Sequence, residues 1–332
     1  MKYAVIGTGY WGSNHARVAA ELLDEGALDD VVLCDIDESR VADLAEAYGV
    51  EYYTDYASLA DAGVDAATVA TPSPTHEEIG TTLLEADMDL LIEKPLALSS
   101  AEAWNIVDEA ETNDCTLGVG HIFRYHPALN ELKDRIDRGE LGRIKYLNTN
   151  RFSFRATRST TGVLYSLAVH DVDIYQLLLK RQPKTIYCNM DDAIREGIDD
   201  TATLIFEYGD ATGVINCSWQ VPVFDKRRDL TVVGTERAAY IDYVENTVID
   251  LYETKMTRGP QGVRASDDGV HRYEVPSAEP LRIEVEHFLD CCRTGNTPRA
   301  SGKVGARTIE LLEQAQASAE SNKTMTVSSY CA

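Results

Sequence analysis

The first part of the chain alternates between short apolar runs and amphipathic stretches. The apolar runs fall at about residues 2–6, 31–34, 66–70, 89–92 and 116–119. Apolar runs of this length, each followed by a helical stretch, are typical of parallel β-strands joined by right-handed crossovers. Residues 1–121 are therefore predicted to form an α/β domain of the Rossmann type, built on a parallel sheet.

After residue 121 the pattern changes to a series of strands in which apolar and polar positions alternate. These strands are predicted at 143–154, 185–189, 201–208, 212–220, 229–233, 238–243 and 247–252. Alternation of this kind favours antiparallel pairing with one face packed on a core. Residues 122–332 are therefore predicted to form an α+β substrate and oligomerisation domain with a large, mostly antiparallel open sheet.

Three helices and one loop complete the predicted second domain. Pro127 to Arg138 has helical periodicity, and so do the stretches at about 280–294 and 302–320. Residues 256–275 carry Gly, Arg, Asp and Ser without periodicity. This stretch is predicted to be a mobile loop.

The first apolar run continues directly into a glycine-rich turn, Gly7-Thr-Gly9-Tyr-Trp-Gly12. Gly7 allows a tight turn, Gly9 lets phosphate oxygens approach the backbone, and Gly12 lets the next helix pack closely. Asp35 ends the second predicted strand, 23 residues after Gly12, where an acid can bind the ribose hydroxyls of adenosine. This order predicts a dinucleotide site rather than a turn with an unrelated surface Asp.

Asp35 also indicates which dinucleotide binds. A carboxylate at this position repels the 2′-phosphate of NADP, and Ile36 and Asp37 follow it rather than Arg. Arg40 is near in sequence, but we expect it to face solvent within the next helix. The sequence therefore favours NAD over NADP.

Two more polar segments directly follow predicted strands of the parallel sheet. Thr71-Pro-Ser-Pro-Thr-His76 follows the third strand, and Glu93-Lys94-Pro95 follows the fourth. Ligands of doubly wound sheets bind at the carboxyl ends of the strands. Both segments are thus predicted to lie at the ligand-binding edge.

Residues 162–179 have the apolar periodicity of a helix. Ser166, His170 and Asp173 are spaced at i, i+4 and i+7, so an α-helix would place them on one face. Burying a His and an Asp one turn apart is costly unless both have partners. From the residues alone, a structural pair and a functional pair are both open interpretations.

The chain has 55 acidic and 31 basic residues, which gives a formal net charge of −24. A distributed negative surface opposes binding to nucleic acids and anionic membranes. Because salt screens the self-repulsion of such a surface, we interpret it as adaptation to a salty cytoplasm, as in a halophile, rather than as ordinary acidity.

No apolar run approaches the roughly 20 residues of a membrane span, and no signal-peptide pattern is present, so a cytoplasmic location is expected. Seven scattered cysteines without a Cys-x-x-Cys pair or a His cluster predict no metal site.

Five motifs follow one another along the chain: the glycine loop with Asp35, the loop ending at His76, Glu93-Lys94-Pro95, residues 120–127, and the helix at 162–179. In this order they resemble the Gfo/Idh/MocA oxidoreductase family over essentially the whole chain. The resemblance implies a Rossmann domain, an open-sheet substrate domain, NAD(P), and hydride transfer at an alcohol of a sugar or cyclitol.

The resemblance also implies the residues that carry the chemistry. His170 would act as the base, and the ammonium group of Lys94 would stabilise the developing alkoxide. Asp173 would hold this network and would compensate for Ser166, which stands where many relatives have an acid. Expected cofactor contacts are Gly7, Gly9, Tyr10, Trp11, Gly12, Asp35, Thr71, Pro72, His76, Glu93 and Lys94. Expected substrate contacts are Arg124, Tyr125, Arg155, Arg158, Ser166 and His170.

Within the family, the segments at 120–124, 167–174, 211–215 and 230–243 resemble UDP-N-acetylglucosamine 3-dehydrogenases, which oxidise the sugar's 3-hydroxyl. This similarity implies a nucleotide-sugar substrate. Arg side chains fit phosphate, so we hypothesise that the UDP phosphates contact bases among Arg151, Arg155, Arg158, Lys226, Arg227 and Arg228. A myo-inositol or aldose dehydrogenase and a non-catalytic dinucleotide-binding protein remain the alternatives. The open sheet would leave a broad face to cover, so a homodimer or homotetramer is expected.

Overall fold

The computed structural model describes residues 1–156, 160–245 and 247–327. Its contacts divide the chain into two compact units. The first unit contains Met1–Ile122 and Glu279–Ile309. The second contains Phe123–Ala278 and the described residues from Glu310 onward.

The first unit is built on a six-stranded sheet in which every neighbouring pair is parallel. Its strand order is β3-β2-β1-β4-β5-β6. The strands are β1 (Lys2–Ile6), β2 (Asp30–Cys34), β3 (Glu51–Tyr53), β4 (Ala66–Val69), β5 (Asp89–Ile92) and β6 (Leu117–Val119). The predicted Rossmann sheet is therefore confirmed, with β3 as an added edge strand.

Four helices connect these strands: α1 (Gly12–Asp24), α2 (Glu38–Tyr48), α3 (His76–Leu84) and α4 (Ser100–Thr112). Local sequence explains where α4 begins. The Ser99 side chain accepts a hydrogen bond from the Glu102 backbone, and the Glu102 side chain accepts one from the Ser99 backbone. This reciprocal capping pairs two N–H groups that the first helical turn leaves without partners.

The second unit contains a nine-stranded sheet and the helices α5 (Pro127–Asp137) and α6 (Val169–Leu179). Its strand order is β14-β13-β12-β11-β7-β10-β9-β8-β15, and only the pair β7–β10 is parallel. The strands are β7 (Ile144–Ser153), β8 (Thr185–Asp191), β9 (Thr201–Glu207), β10 (Thr212–Ser218), β11 (Lys226–Gly234), β12 (Ala238–Asp242), β13 (Val248–Gly259), β14 (Gly262–Glu274) and β15 (Met325–Thr326). The predicted large, mostly antiparallel sheet is confirmed.

The two faces of this sheet differ in chemistry. On one face, apolar residues such as Leu147, Leu230 and Val232 are fully buried, and Tyr175 of α6 donates a hydrogen bond to the Val214 carbonyl. The opposite face carries a network of amide and hydroxyl groups from Asn148, Asn150, Thr203 and Asn216. Side chains alternate between the faces of a strand, so the sequence of β7 specifies both surfaces.

The prediction of a mobile loop at 256–275 is wrong. Most of this stretch belongs to β13 and β14, which pair with each other from Val248–Glu274 to Gly259–Gly262. Nearly all side chains of β14 are exposed, so the sequence shows no alternation between core and solvent. Backbone hydrogen bonds between the two strands define this hairpin instead.

The last two helices are α7 (Pro280–Thr294) and α8 (Gly302–Ser321), close to the predicted bounds. The sequence division at residue 121 assigns both to the second domain, whereas residues 279–309 have their contacts in the first unit. The physical reason is the apolar face of α7, where Leu281, Val285 and Phe288 pack into the core formed by β1, β2 and α1. No helix in the described part of the chain is long and apolar enough to span a membrane.

Candidate active site

The glycine loop between β1 and α1 leaves room that only glycine can provide. Gly7 has φ of 86°, and a Cβ there would lie 2.8 Å from the Ala70 carbonyl oxygen. A Cβ on Gly12 would lie 1.7 Å from the Gly7 carbonyl oxygen, so α1 can approach the loop only without a side chain at this position. A Cβ on Gly9 would meet no described protein atom within 4 Å. The loop therefore fits a dinucleotide, with close packing at Gly7 and Gly12 and an open approach at Gly9.

Asp35 follows β2 and is fixed by its neighbours. One carboxylate oxygen accepts hydrogen bonds from the Thr8 backbone N–H at 2.6 Å and the Thr8 hydroxyl at 2.9 Å, and the other accepts the Asp37 N–H at 2.9 Å. Burial alone would raise the pKa of Asp35, but these bonds and the nearby Arg40 hold it below its usual value. Asp35 is thus a preoriented anion at the position where a ribose would bind.

The sequence predicts that Arg40 faces solvent, but in the structure it also contacts two acids. Its guanidinium lies 3.3 Å from the Asp35 carboxylate and 2.7 Å from Asp37, with half of the side chain exposed. Because α2 begins at Glu38, Arg40 falls in its first turn beside the end of β2. The contact between Arg40 and Asp35 was not predicted, because the sequence does not show that the first turn of α2 lies beside the end of β2.

A cleft of about 710 Å³ opens at the carboxyl edge of this sheet. The glycine loop, the acid and the first edge loop contribute to its lining, with Gly7, Gly9, Asp35, Thr71 and Pro72 among them. Such a volume is typical of a site for a small molecule or cofactor. The glycine loop, Asp35 and the loop after β4 thus meet at this cleft, whereas Glu93, Lys94 and Pro95 do not line it; the cofactor contacts stay predictions.

Glu93 is the buried centre of a second cluster. Its carboxylate accepts hydrogen bonds from the Trp11 indole, from the His15 ring at 2.9 Å and from the Lys94 backbone at 3.0 Å. Burial would raise the pKa of Glu93, but His15, Lys94 and Trp11 together lower it. Glu93 thereby ties α1 to the loop that carries Lys94.

Sequence reasoning missed two residues of this cluster, His15 and Gly120. A Cβ on Gly120 would come within 2.9 Å of the Glu93 carboxyl group, so glycine is required there. Only the nearness of His15 to the glycine motif could have drawn attention to it. Tyr10, another expected cofactor contact, is 89% exposed beside the loop.

His76 connects the two edge loops. One ring nitrogen lies 2.9 Å from the Pro95 carbonyl oxygen and the other 3.0 Å from the Thr71 carbonyl oxygen. Burial lowers the pKa of His76, so the ring is neutral near pH 7 and donates to one of the two carbonyls. The side chain therefore fixes the spacing of the loops on either side of it.

In the second unit, α6 begins at Val169, directly before His170. The preceding residues, Leu164–Ala168, form a π-helix, so the α-helical spacing expected from Ser166 onward applies only after this turn. The Ser166 hydroxyl lies 2.9 Å from that of Thr161. His170 contacts the Phe123 ring edge to face, with centroids 5.1 Å apart.

Two ion pairs involve acids that follow His170 in the first turns of α6. The guanidinium of Arg124 binds Asp173, with Nε 2.8 Å and Nη2 2.7 Å from one carboxylate oxygen, so two expected site residues meet. Arg151 binds Asp171 at 2.5 Å, with both side chains buried, and its guanidinium lies 4.4 Å from the Phe123 ring centroid. Burial raises the pKa of Asp171, although Arg151 opposes that shift. Asp171 is not among the site residues predicted from the sequence.

The remaining expected substrate contacts are Tyr125, Arg155 and Arg158. Tyr125 is buried at the start of the second unit. Arg155 is exposed just past β7, and its backbone N–H donates to the Trp219 carbonyl at 3.1 Å. Arg158 lies outside the described residues. Lys94 belongs to the first unit and His170 to the second.

Comparison with known proteins gives two matching family models. One, described as "Oxidoreductase family, NAD-binding Rossmann fold", matches residues 1–121. The other, described as "GFO/IDH/MocA C-terminal domain", matches residues 129–240. Together with the glycine loop and Asp35, they define an NAD-binding oxidoreductase. The chain belongs to the Gfo/Idh/MocA oxidoreductase family, and it is a dehydrogenase of the sugar and polyol class.

Curated relatives align along nearly the full length. The chain is 27% identical to UDP-N-acetylglucosamine 3-dehydrogenase of Acidithiobacillus ferrooxidans, over 96% of this chain and 97% of the relative. It is 25% identical to myo-inositol 2-dehydrogenase of Thermotoga maritima, over 98% of each chain. An oxidoreductase domain protein from Kribbella flavida has the same fold, with a TM-score of 0.86 at 19% identity over 98% of this chain and 99% of that one.

Proposed function

We propose that this enzyme oxidises a secondary alcohol of a sugar to a ketone, and that the substrate is the 3-hydroxyl of UDP-N-acetylglucosamine. The observation that carries the proposal is the setting of His170, a partly exposed imidazole at the start of α6. It is followed one and three residues later by Asp171 and Asp173, which form buried ion pairs with Arg151 and Arg124. The full-length similarity to a UDP-N-acetylglucosamine 3-dehydrogenase supports the choice of substrate.

Alcohol oxidation removes a proton from oxygen and a hydride from carbon. NAD held by the glycine loop and Asp35 would supply the hydride acceptor. His170 accepts the hydroxyl proton, because imidazole is a suitable base near neutral pH. The Lys94 ammonium donates a hydrogen bond to the same oxygen and stabilises its developing negative charge.

The surrounding residues hold these groups in place. Asp173 engages the Arg124 guanidinium through both carboxylate oxygens, so we assign this pair a positioning role beside His170. Glu93 fixes the backbone N–H of Lys94, and His76 braces the same loop at Pro95. Ser166 and Tyr125 are proposed to shape the substrate side.

A second candidate substrate is a neutral cyclitol. The Thermotoga maritima myo-inositol 2-dehydrogenase is almost as similar to this chain as the nucleotide-sugar enzyme. Such a substrate would use the same base and the same Lys94 hydrogen bond. It would need no phosphate contacts.

The test is NADH absorbance with UDP-N-acetylglucosamine, myo-inositol or glucose, in buffer containing about 2 M KCl and a ketone trap. The expected result is NADH with the UDP-sugar alone. Lys94→Ala and His170→Ala should each lower turnover roughly 10²- to 10⁴-fold with NAD binding retained, because each removes one catalytic group. Lys303→Ala and His271→Ala, at exposed positions, are the matched controls.

Other outcomes separate the alternatives. NADH from myo-inositol only would replace the nucleotide sugar with a cyclitol. Tight NAD binding with no NADH from any alcohol would favour a non-catalytic dinucleotide-binding protein. Turnover unaffected by either substitution would contradict the assigned roles.

A further inference from the structure

Four basic residues gather where β7 ends and β11 begins. In this antiparallel pair Arg151 lies directly opposite Arg228, and Ser153 lies opposite Lys226. Opposed residues share one face of a sheet, so the bases at 151, 226 and 228 lie on the face that α6 packs against. Arg155 follows two residues after β7 and lies near enough to Arg228 to affect its pKa.

Opposed like charges on neighbouring strands destabilise a sheet unless an anion compensates them. Asp171 engages Arg151 through Nε, but the Arg151 Nη2 atom is buried and has no hydrogen-bond partner among the described residues. Burial, Arg151 and Arg155 lower the pKa of Arg228, against the opposing effects of Asp171 and Asp225. The four bases stand against two acids, Asp171 and Asp225, so positive groups outnumber negative groups in this cluster.

This excess stands out against the rest of the molecule, which carries a net charge of −24. Arg227, between Lys226 and Arg228, points to the opposite face and binds Asp229 at 2.5 Å. Arg228, by contrast, has no hydrogen bond or ion pair to a carboxylate in the described part of the chain. Its partly exposed guanidinium is available to an external anion.

The position of the cluster ties it to the reaction. Asp171, the partner of Arg151, is the next residue after His170 in α6. An anion beside Arg228 would thus lie in the same unit and close to the segment that carries the proposed base. We propose that Arg155, Lys226 and Arg228 bind a phosphate group of the substrate, so that the enzyme selects phosphorylated sugars over neutral polyols.

This proposal rests on the proposed alcohol oxidation and deepens it by assigning the residues that bind a phosphate of the substrate. Planar guanidinium groups bind phosphate oxygens in pairs, whereas a neutral cyclitol would leave the cluster uncompensated. The phosphate could belong to the diphosphate of a nucleotide sugar or to a sugar monophosphate. Titration with UDP and with glucose 1-phosphate distinguishes these two sources.

The experiment is calorimetric titration of the full-length protein with UDP, glucose 1-phosphate, inorganic phosphate or myo-inositol. Saturating NADH is present throughout, so that UDP cannot occupy the dinucleotide cleft. UDP is expected to bind, and Arg228→Gln and Arg155→Gln should each raise its Kd at least roughly tenfold, as expected for a lost charge-assisted contact. Arg264→Gln, at an exposed position of β14, is the matched control and should change the Kd less than about twofold.

Binding of UDP without glucose 1-phosphate would assign the site to a nucleotide diphosphate, and binding of both would assign it to phosphate itself. Failure of all three anions to bind, or an unchanged UDP affinity in both Arg155→Gln and Arg228→Gln, would overturn the proposal. Arg155 is exposed, so its variant tests the site even if Arg228→Gln fails to fold. NADH formation from myo-inositol, measured on the same samples, shows separately whether alcohol oxidation holds.

Discussion

At the scale of single residues, Asp35 decides the cofactor through charge. Its carboxylate is ionised and held by Thr8 and Asp37, while Arg40 reaches it from the first turn of α2. We propose that the acid repels a 2′-phosphate and at the same time occupies Arg40. Selection of NAD follows from the pair rather than from the acid alone.

Asp35→Ala should raise the Kd for NAD by roughly tenfold or more, since the ribose loses a charge-assisted hydrogen bond. The same change should improve NADP binding, because it removes the repelling charge and releases Arg40 from Asp35. Asp37→Asn is the control: it keeps the side-chain oxygen that caps α2. Fluorescence titration with both cofactors gives the affinities. An unchanged NAD affinity in Asp35→Ala would refute the ribose contact.

His126 is a buried group whose protonation opposes folding. Burial and the nearby Arg151 lower its pKa from 6.5 to about 4, and its ring nitrogen accepts a hydrogen bond from the Leu129 backbone. Between these two pKa values the unfolded chain binds a proton that the folded chain does not. The free energy of unfolding should therefore fall as the pH drops from about 6.5 to about 4, by roughly 3 kcal/mol at most.

Urea unfolding at a series of pH values measures this contribution. His126→Asn keeps an acceptor at the start of α5 but does not titrate. The difference in unfolding free energy between wild type and variant should thus change over this pH range. Parallel pH profiles for the two proteins would be inconsistent with a depressed pKa at His126.

At the scale of elements, the sequence was most informative where one periodicity dominated. Most strands of both sheets and the helices near 280 and 302 lie within a few residues of their predicted bounds, because each buries an apolar face. β3 was missed because its first two residues are exposed. The hairpin of β13 and β14 was mistaken for a loop because pairing, not burial, defines it.

The candidate site was predictable in its motifs and not in its contacts. Gly7, Gly12 and Asp35 lie where a glycine motif and an acid should lie, since local backbone geometry fixes them. Partners distant in sequence, such as His15 for Glu93, depend on how the elements pack. The π-helix before His170 likewise breaks a spacing that apolar periodicity alone had suggested.

Two glycines of one loop should behave differently when replaced. Gly12→Ala would drive a Cβ into the Gly7 carbonyl oxygen, so α1 must shift, and stability should fall by roughly 2 kcal/mol or more. Gly9→Ala meets open space, so its stability should stay within about 1 kcal/mol of wild type, while NAD affinity falls.

Urea unfolding and NAD titration of both variants make the comparison. Each variant serves as the control for the other, because both add one methyl group to the same loop. Equal losses of stability would be incompatible with a packing role for Gly12 and a cofactor-facing role for Gly9.

At the scale of the whole molecule, the net charge of −24 sets how stability depends on salt. Repulsion between carboxylates acts over about 10 Å at 0.1 M salt and about 3 Å at 1 M. We expect the thermal unfolding midpoint to rise from 0.1 to 2 M KCl, and the protein to unfold more readily below about 0.5 M. Sucrose of equal osmolality is the control, since it does not screen charge. A midpoint independent of KCl would argue for an ordinary acidic protein.

The proposed function requires that the hydrogen on C3 of the sugar leaves as hydride to NAD. UDP-N-acetylglucosamine deuterated at C3, incubated with enzyme, NAD and a ketone trap, tests this by mass spectrometry of the NADH formed. The expected result is NADH that carries one deuterium, and slower turnover than with unlabelled substrate. NADH without deuterium, or none at all while NAD remains bound, would contradict it.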